Sequence, residues 1–150
     1  MAVKEITPQQ AHDLLVANPD AVYIDVRTER EFTGGHPQGA VNIPFAFQDP
    51  ARGMTVNEEF VDVVRSHFVP NQKIILGCQA GPRSSAAAGM LEQAGFQDIS
   101  NVIGGFGGMR DQTGRVTAPG WASLGLPVSQ ENGEGVGYES LRGKVKNKRA

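Results

Sequence analysis

Between residues 3 and 103 the chain alternates short apolar runs with longer stretches of helical period, and this alternation narrows the fold more than any other feature. A strand, a helix and a second strand in the same sheet close as a parallel, right-handed unit. Repetition of that unit predicts an α/β domain with a mostly parallel central sheet and helices on both faces. The strand candidates are residues 3–6, 21–26, 40–43, 73–78 and 99–103. The run AVYIDV at 21–26 is apolar almost throughout, as expected of a strand covered on both sides, while 3–6 reads as a short edge strand.

Helix ends are marked between these runs. Thr7-Pro8-Gln9-Gln10 and Thr28-Glu29-Arg30-Glu31 both fit the capping box, with the hydroxyl at N-cap and the Gln or Glu at N3. Asn57 is expected to cap a third helix, with Glu58 and Glu59 at the positive end of its dipole. Phe60, Val63, Val64, His67 and Phe68 then form one helical stripe. A fourth helix is expected over about 83–94, with Ala87, Met90, Leu91 and Ala94 facing inward and Gly95 ending it. Residues 45–56 read as a loop broken by Pro50 and Gly53.

After Ile103 the periodicity fades. Gly104, Gly105, Gly107 and Gly108 make a flexible run, 111–120 has no period, and Trp121–Leu124 suggests a single helical turn. From Ser129 the chain is polar, and five of its last nine residues are Lys or Arg. So few apolar groups cannot offset the entropy of ordering, so residues 129–150 are expected to be a disordered, basic tail following a domain at 1–128.

The chemistry concentrates in residues 73–95, KIILGCQAGPRSSAAAGMLEQAG. A strand ends at Cys78, the only cysteine, and a helix opens within six residues. In open parallel sheets ligands bind beyond the carboxyl ends of the strands, where Cys78 lies. The free N–H groups and dipole of a helix start favour an anion, and such surroundings can lower a thiol pKa from about 8.5 to about 3.5–7.5. Gly81 permits a positive φ, so several backbone N–H groups of the loop can converge on one point. Arg83 supplies a planar fork for an oxyanion, and Ser84 and Ser85 offer hydroxyls. The bland alternative is that Cys78 is a small buried apolar residue. Asp25 and Arg27 read as structural, with Arg27 expected to pair with Glu29 or Glu31. His36 reads as a turn residue bonded to backbone, His67 as a packed histidine and His12 as exposed.

Composition removes several classes of function. With 150 residues and net charge −2, the chain is sized for one domain and has no overall attraction for nucleic acid. No apolar run nears the roughly 20 residues needed to cross a bilayer, and MAVKEITPQQ lacks the features of a targeting segment. A soluble cytoplasmic protein is expected. A single cysteine excludes an internal disulfide, a CxxC pair and a cysteine-based zinc site. The glycine run lacks the context of a dinucleotide site, and no cofactor is expected.

Taken together, these residues resemble the single-domain rhodanese (thiosulfate sulfurtransferase) family over about 3–128. Cys78-Gln79-Ala80-Gly81-Pro82-Arg83-Ser84 resembles the family's Cys-x-x-Gly-x-Arg-Ser loop. Asp25-Val26-Arg27 with Glu31-Phe32 resembles its Asp-Val-Arg…Glu-Phe signature, and Gly35-His36 through Gly39-Ala40 with Asn42-Ile43-Pro44 resembles a third. Gly95-Phe96, Gly104-Gly105 and Gly125-Leu126-Pro127-Val128 match its closing elements. The chain departs from the family at Pro82, where an N–H-bearing residue is usual. It also departs at Pro37-Gln38 and at Met109, where the family has Trp; Trp121 implies an insertion over about 108–120.

The resemblance implies Cys78 as nucleophile and Gln79, Ala80, Gly81, Arg83 and Ser84 as substrate-binding residues. The implied donor is thiosulfate or a persulfide, and the implied acceptor is cyanide, a thiol or a protein. Two other functions stay open. Cysteine phosphatases and arsenate reductases of the same fold place five residues between Cys and Arg, whereas this chain has four. A non-catalytic sulfur-relay or partner-binding module is the third. Oligomeric state is not legible in the sequence.

Overall fold

A computed structural model of the chain describes residues 3–149, with the side chains of 144–149 outside the description. In chain order the elements are β1 (Lys4–Ile6), α1 (Pro8–Ala17), β2 (Val22–Asp25), α2 (Glu29–Thr33), β3 (His36–Pro37), β4 (Val41–Asn42), β5 (Ala46–Asp49) and β6 (Gly53–Val56). There follow α3 (Phe60–His67), β7 (Lys73–Gly77), α4 (Pro82–Gln93), β8 (Asp98–Val102), β9 (Met109–Arg110), β10 (Val116–Ala118), β11 (Val128–Ser129) and α5 (Tyr138–Arg149). Five strands form the central sheet in the order β1-β8-β7-β2-β4, and every pairing in it is parallel. β1 lies at the edge, as its short exposed sequence suggested.

Side chains of successive strand residues point to opposite faces, and this divides the core in two. Val22, Ile24, Ile74, Leu76 and Ile99 pack with Phe60, Val63 and Val64 of α3, Ala87, Ala88 and Leu91 of α4, and Tyr138 and Leu141 of α5. Tyr23, Ile75 and Val102 pack on the other face with Ala11 of α1, Phe32 of α2 and Trp121. Both predicted capping boxes are present, on Thr7 with Gln10 and on Thr28 with Glu31. The β2–β7 register sets Asp25 opposite Gly77, so the segments leaving these two strands begin side by side at one end of the sheet. The Val26 amide donates to the Gly77 carbonyl there, and Cys78 and Arg27 are the next residues on each.

Several expectations need correction. Residues 45–56 are not a loop: β5 and β6 pair as an antiparallel hairpin, Ala46↔Val56 through Asp49↔Gly53. The helix after Asn57 begins at Phe60 with Glu59 at the N-cap, and no side chain caps it there. Asn57 is instead buried, accepting from the Glu59 amide and donating to the Pro44 carbonyl and the Tyr138 hydroxyl. His12 is half-buried, with its ring 5.8 Å from that of Trp121.

The expectation of disorder from residue 129 fails where the chain returns to the domain. β11 pairs antiparallel with β3, the Asn42 amide donates to the Val136 carbonyl, and Tyr138 and Leu141 are each 3% exposed. His67 Nε2 lies 3.0 Å from the Leu141 carbonyl. Few apolar residues suffice because they are delivered to an uncovered flank of α3. The basic side chains of Lys144, Lys146, Lys148 and Arg149, read as a solvated end, lie outside the described residues.

Candidate active site

Strand β7 delivers Cys78 to the carboxyl end of the sheet, and α4 begins four residues later at Pro82. Proline at the first helical turn loses an N–H that has no helical partner anyway. The loop turns at Gly81, whose φ of 145° and ψ of −30° suit only glycine. As a result the Gly81 amide donates to Cys78 Sγ at 3.1 Å. The Ser84 amide and the Ser84 hydroxyl each lie 3.4 Å from the same sulfur. That hydroxyl has one proton, shared between Sγ and the Gly81 carbonyl at 3.1 Å. Three donors around one sulfur favour negative charge on it or on an atom bonded to it. The two backbone donors come from either side of Pro82. Cys78 itself is 1% exposed.

Of the other residues singled out in the loop, Gln79 is exposed and Ala80 half-buried. Gln79 Oε1 accepts from Arg27 Nη1 at 3.3 Å. Arg83 does not point free into the loop. Its Nη1 and Nη2 donate to Glu31 Oε1 and Oε2 at 2.7 and 3.0 Å, a fork-to-fork pair. The hydrogen bond to Glu31, above all, raises the Arg83 pKa, with burial opposing and the nearby Glu31, Cys78 and Asp25 charges adding. For Glu31, burial pushes the carboxyl up, but hydrogen bonds from Arg83 and Thr28 and the Arg83 charge outweigh it. The result is a pKa of about 2.

Arg27 pairs with Asp25, not with Glu29 or Glu31. Its Nε and Nη2 reach both Asp25 oxygens at 2.8–3.1 Å, Nη2 also donates to the Gly35 carbonyl, and the guanidinium lies 4.5 Å from the Phe106 ring centre. His36 is buried, stacked on Phe32, with Nδ1 2.8 Å from the Phe32 carbonyl. Its ring bonds to backbone, as expected, but from strand β3 rather than from a turn.

The glycine run forms a bracket under the loop. The Phe106 and Gly107 amides donate to the Cys78 and Gln79 carbonyls, each at 2.8 Å. At Gly105 a Cβ would stand 2.1 Å from the Cys78 carbonyl oxygen, so only glycine allows the approach. The residues read as an insertion leave this bracket as the β9–β10 hairpin and return to Trp121, whose amide donates to the Gly105 carbonyl.

The model of the rhodanese-like domain matches residues 7–112, a span that includes this loop. The chain belongs to the rhodanese-like family. Thiosulfate sulfurtransferase 16 of Arabidopsis thaliana, described as chloroplastic, is 41% identical over 118 residues, covering 79% of this chain and 86% of that protein. Thiosulfate sulfurtransferase GlpE of Haemophilus influenzae is 31% identical over 128 residues, 85% of this chain and 96% of the relative. Two further plant relatives are longer, and the chain spans 45% and 46% of them. Among solved structures, Rv0390 of M. tuberculosis superposes with a TM-score of 0.73 at 34% identity, over 87% of this chain and all of that one. No helix among the described residues is long and apolar enough to cross a membrane.

The rhodanese-like signature at 25–32 contains the residue that inspection of the loop missed. Glu31 was legible as a helix cap and as an expected partner of Arg27, and its pairing with Arg83 instead depends on α2 and α4 meeting 52 residues apart.

Proposed function

We propose that the protein is a sulfurtransferase that carries sulfane sulfur on Cys78, from thiosulfate or a persulfide donor to cyanide or a thiol. The Cys78 thiolate attacks the outer sulfur of thiosulfate, the S–S bond breaks, and sulfite leaves with the bonding pair. The acceptor then attacks the terminal sulfur and returns the thiolate. Neither step needs a base to remove a proton from a thiolate, which accords with His36 being turned toward Phe32. The observation that carries the proposal is the convergence of the Gly81 amide and the Ser84 amide and hydroxyl on one sulfur. The relatives named thiosulfate sulfurtransferase support the same chemistry. Gln79 and Ala80 then border the persulfide, and Arg83 stands at the rim toward the donor. The chain is taken to work in the cytoplasm, where a lone cysteine stays reduced.

Mass spectrometry after exposure to thiosulfate should find one added sulfur on Cys78, and thiosulfate:cyanide turnover should vanish in Cys78→Ser. Hydrolysis of an aryl phosphate without sulfur uptake would defeat the proposal. A second reading, relay of sulfur to a single protein without turnover of free thiosulfate, draws on the capture of Arg83 by Glu31. Sulfur uptake from a persulfidated protein, with no thiosulfate:cyanide turnover, would favour it.

A further inference from the structure

The β9–β10 hairpin packs into neither core. Every residue from 109 to 117 is exposed, and none of them joins the buried clusters on the two faces of the sheet. A two-stranded ribbon without a packed face is marginal by itself, yet this one is tied down at both ends. At its tip Asp111 Oδ1 accepts from the Thr113 amide and hydroxyl and from the Arg115 amide, at 2.6–3.0 Å. Arg110 Nη1 donates to the Gly114 carbonyl at 2.9 Å. At its root the Gly107 amide donates to the Gln79 carbonyl, and the Gln79 side chain lies so close over Gly107 that a Cβ there would overlap its amide nitrogen. The hairpin is therefore an ordered arm whose base abuts the residue that follows Cys78.

Arg110 stands opposite Val116 across the ribbon, and Met109 and Val116 are 39% and 48% exposed. The hairpin holds two arginines and one aspartate, a net charge of +1 on a chain of net −2. Asp111 is turned into its own loop, and neither arginine pairs with a carboxylate among the described residues. Arginine and methionine are side chains that protein interfaces favour. Free cations beside exposed apolar groups complement a protein surface with carboxylates around an apolar patch, whereas the chain's net negative charge disfavours nucleic acid. Resting on the sulfurtransferase proposal, we infer that β9–β10 is a docking arm for an acidic protein whose thiol accepts sulfur from Cys78. In that step the partner's thiolate attacks the terminal sulfur of the Cys78 persulfide, the S–S bond breaks, and Cys78 leaves as thiolate with the electron pair. The partner carries away the persulfide.

The probes are two synthetic peptides, each with a single cysteine between leucines. One carries Asp and Glu on both sides, and the other carries Asn and Gln in their place. Cys78 is loaded from thiosulfate, free donor is removed, and sulfur transfer to each peptide is followed by mass spectrometry. Wild type is compared with the double variant Arg110→Gln, Arg115→Gln, whose positions are exposed and outside the core. Dividing the acidic-peptide rate by the neutral-peptide rate, and then wild type by variant, cancels the thiol reactivity of the peptides and any general effect on Cys78. The quotient should be about fivefold in dilute buffer, the size expected of two exposed ion pairs. It should fall toward unity at about 1 M salt, where the screening length is about 3 Å. Turnover with cyanide should be the same in both proteins. A quotient of unity in dilute buffer, one that persists in salt, or a variant that loses cyanide turnover overturns the docking role while leaving sulfur transfer intact. Retention of wild type, but not of the variant, on immobilised single-stranded RNA would give the arm to nucleic acid and overturn it as well. Failure of wild-type Cys78 to take up sulfur from either thiosulfate or a small persulfide overturns the sulfurtransferase proposal itself, and the inference with it.

Discussion

Asp25–Arg27 and Glu31–Arg83 are both bidentate arginine–carboxylate pairs flanking the same loop, yet their exposure differs widely. The side chains of the first are 2% and 4% exposed, and those of the second 33% and 24%. Arg27 is further fixed by the Gly35 carbonyl, Gln79 and the Phe106 ring, so its donors are almost fully used. A buried pair of this kind is costly to break, because removing one partner strands the other charge away from water. A half-exposed pair adds little stability and can exchange partners, because solvent replaces what is lost. The chain therefore uses the same chemical unit as a scaffold on one side of Cys78 and as an adjustable charge on the other.

The largest expected effect separates the two pairs directly. Arg27→Ala should destabilise the protein by about 3–5 kcal/mol, the cost of leaving Asp25 buried and unpaired, measured by urea unfolding. A loss below that of Arg83→Ala would break the distinction. Gly105→Ala acts on the loop that both pairs flank. A methyl 2.1 Å from the Cys78 carbonyl, at a φ of +53°, should cost about 2–4 kcal/mol and depress sulfur loading from every donor alike.

Leu141→Ala probes a region far from either pair. It should cost about 2–3 kcal/mol by emptying a buried site and leave the rate of sulfur loading on Cys78 unmoved; slowed loading in the folded variant would show that the C-terminal segment reaches the active loop. Arg83→Ala should change stability by less than about 1 kcal/mol but slow loading of Cys78 from thiosulfate more than from a neutral persulfide donor, since the planar cation that suits an oxyanion is lost. Equal slowing would count against the adjustable role.

The smallest effect is in the pH dependence. Because the Glu31 pKa is lowered from 4.5 to about 2, its contribution is fully present above about pH 4.5 and fades as pH falls toward 2. Stability curves of wild type and Glu31→Gln should thus converge over that interval; curves that stay parallel would mean that the pair adds nothing to the folded state.

Much of the scaffold was legible because its signals are local. Thr7 and Thr28 cap the helices they precede, Gly95 adopts a φ of 101° just past the end of α4, and the apolar runs at 22–25 and 73–77 become buried strands. The loop was legible for the same reason, since Cys78, Gly81 and Ser84 lie within seven residues and close on one sulfur. The β5–β6 hairpin was not, because Pro50 and Gly53 read equally as a loop and only the pairing of Ala46–Asp49 with Gly53–Val56 decides between them. The order of the C-terminal segment was not legible either, because average polarity conceals Tyr138 and Leu141, which need a site on α3 before they can bury anything.

The sequence by itself determined the parallel α/β frame, the place of Cys78 at a strand end and the turn that wraps donors around its sulfur, because each follows from neighbours in the chain. Only the tertiary structure decided which carboxylate each arginine holds. Asp25, Glu29 and Glu31 all lie within six residues of Arg27, and charge alone does not choose among them. The β2–β7 register buries Asp25 beside Arg27, and the meeting of α2 with α4 gives Glu31 to Arg83, so geometry set by distant packing assigns these charges their partners.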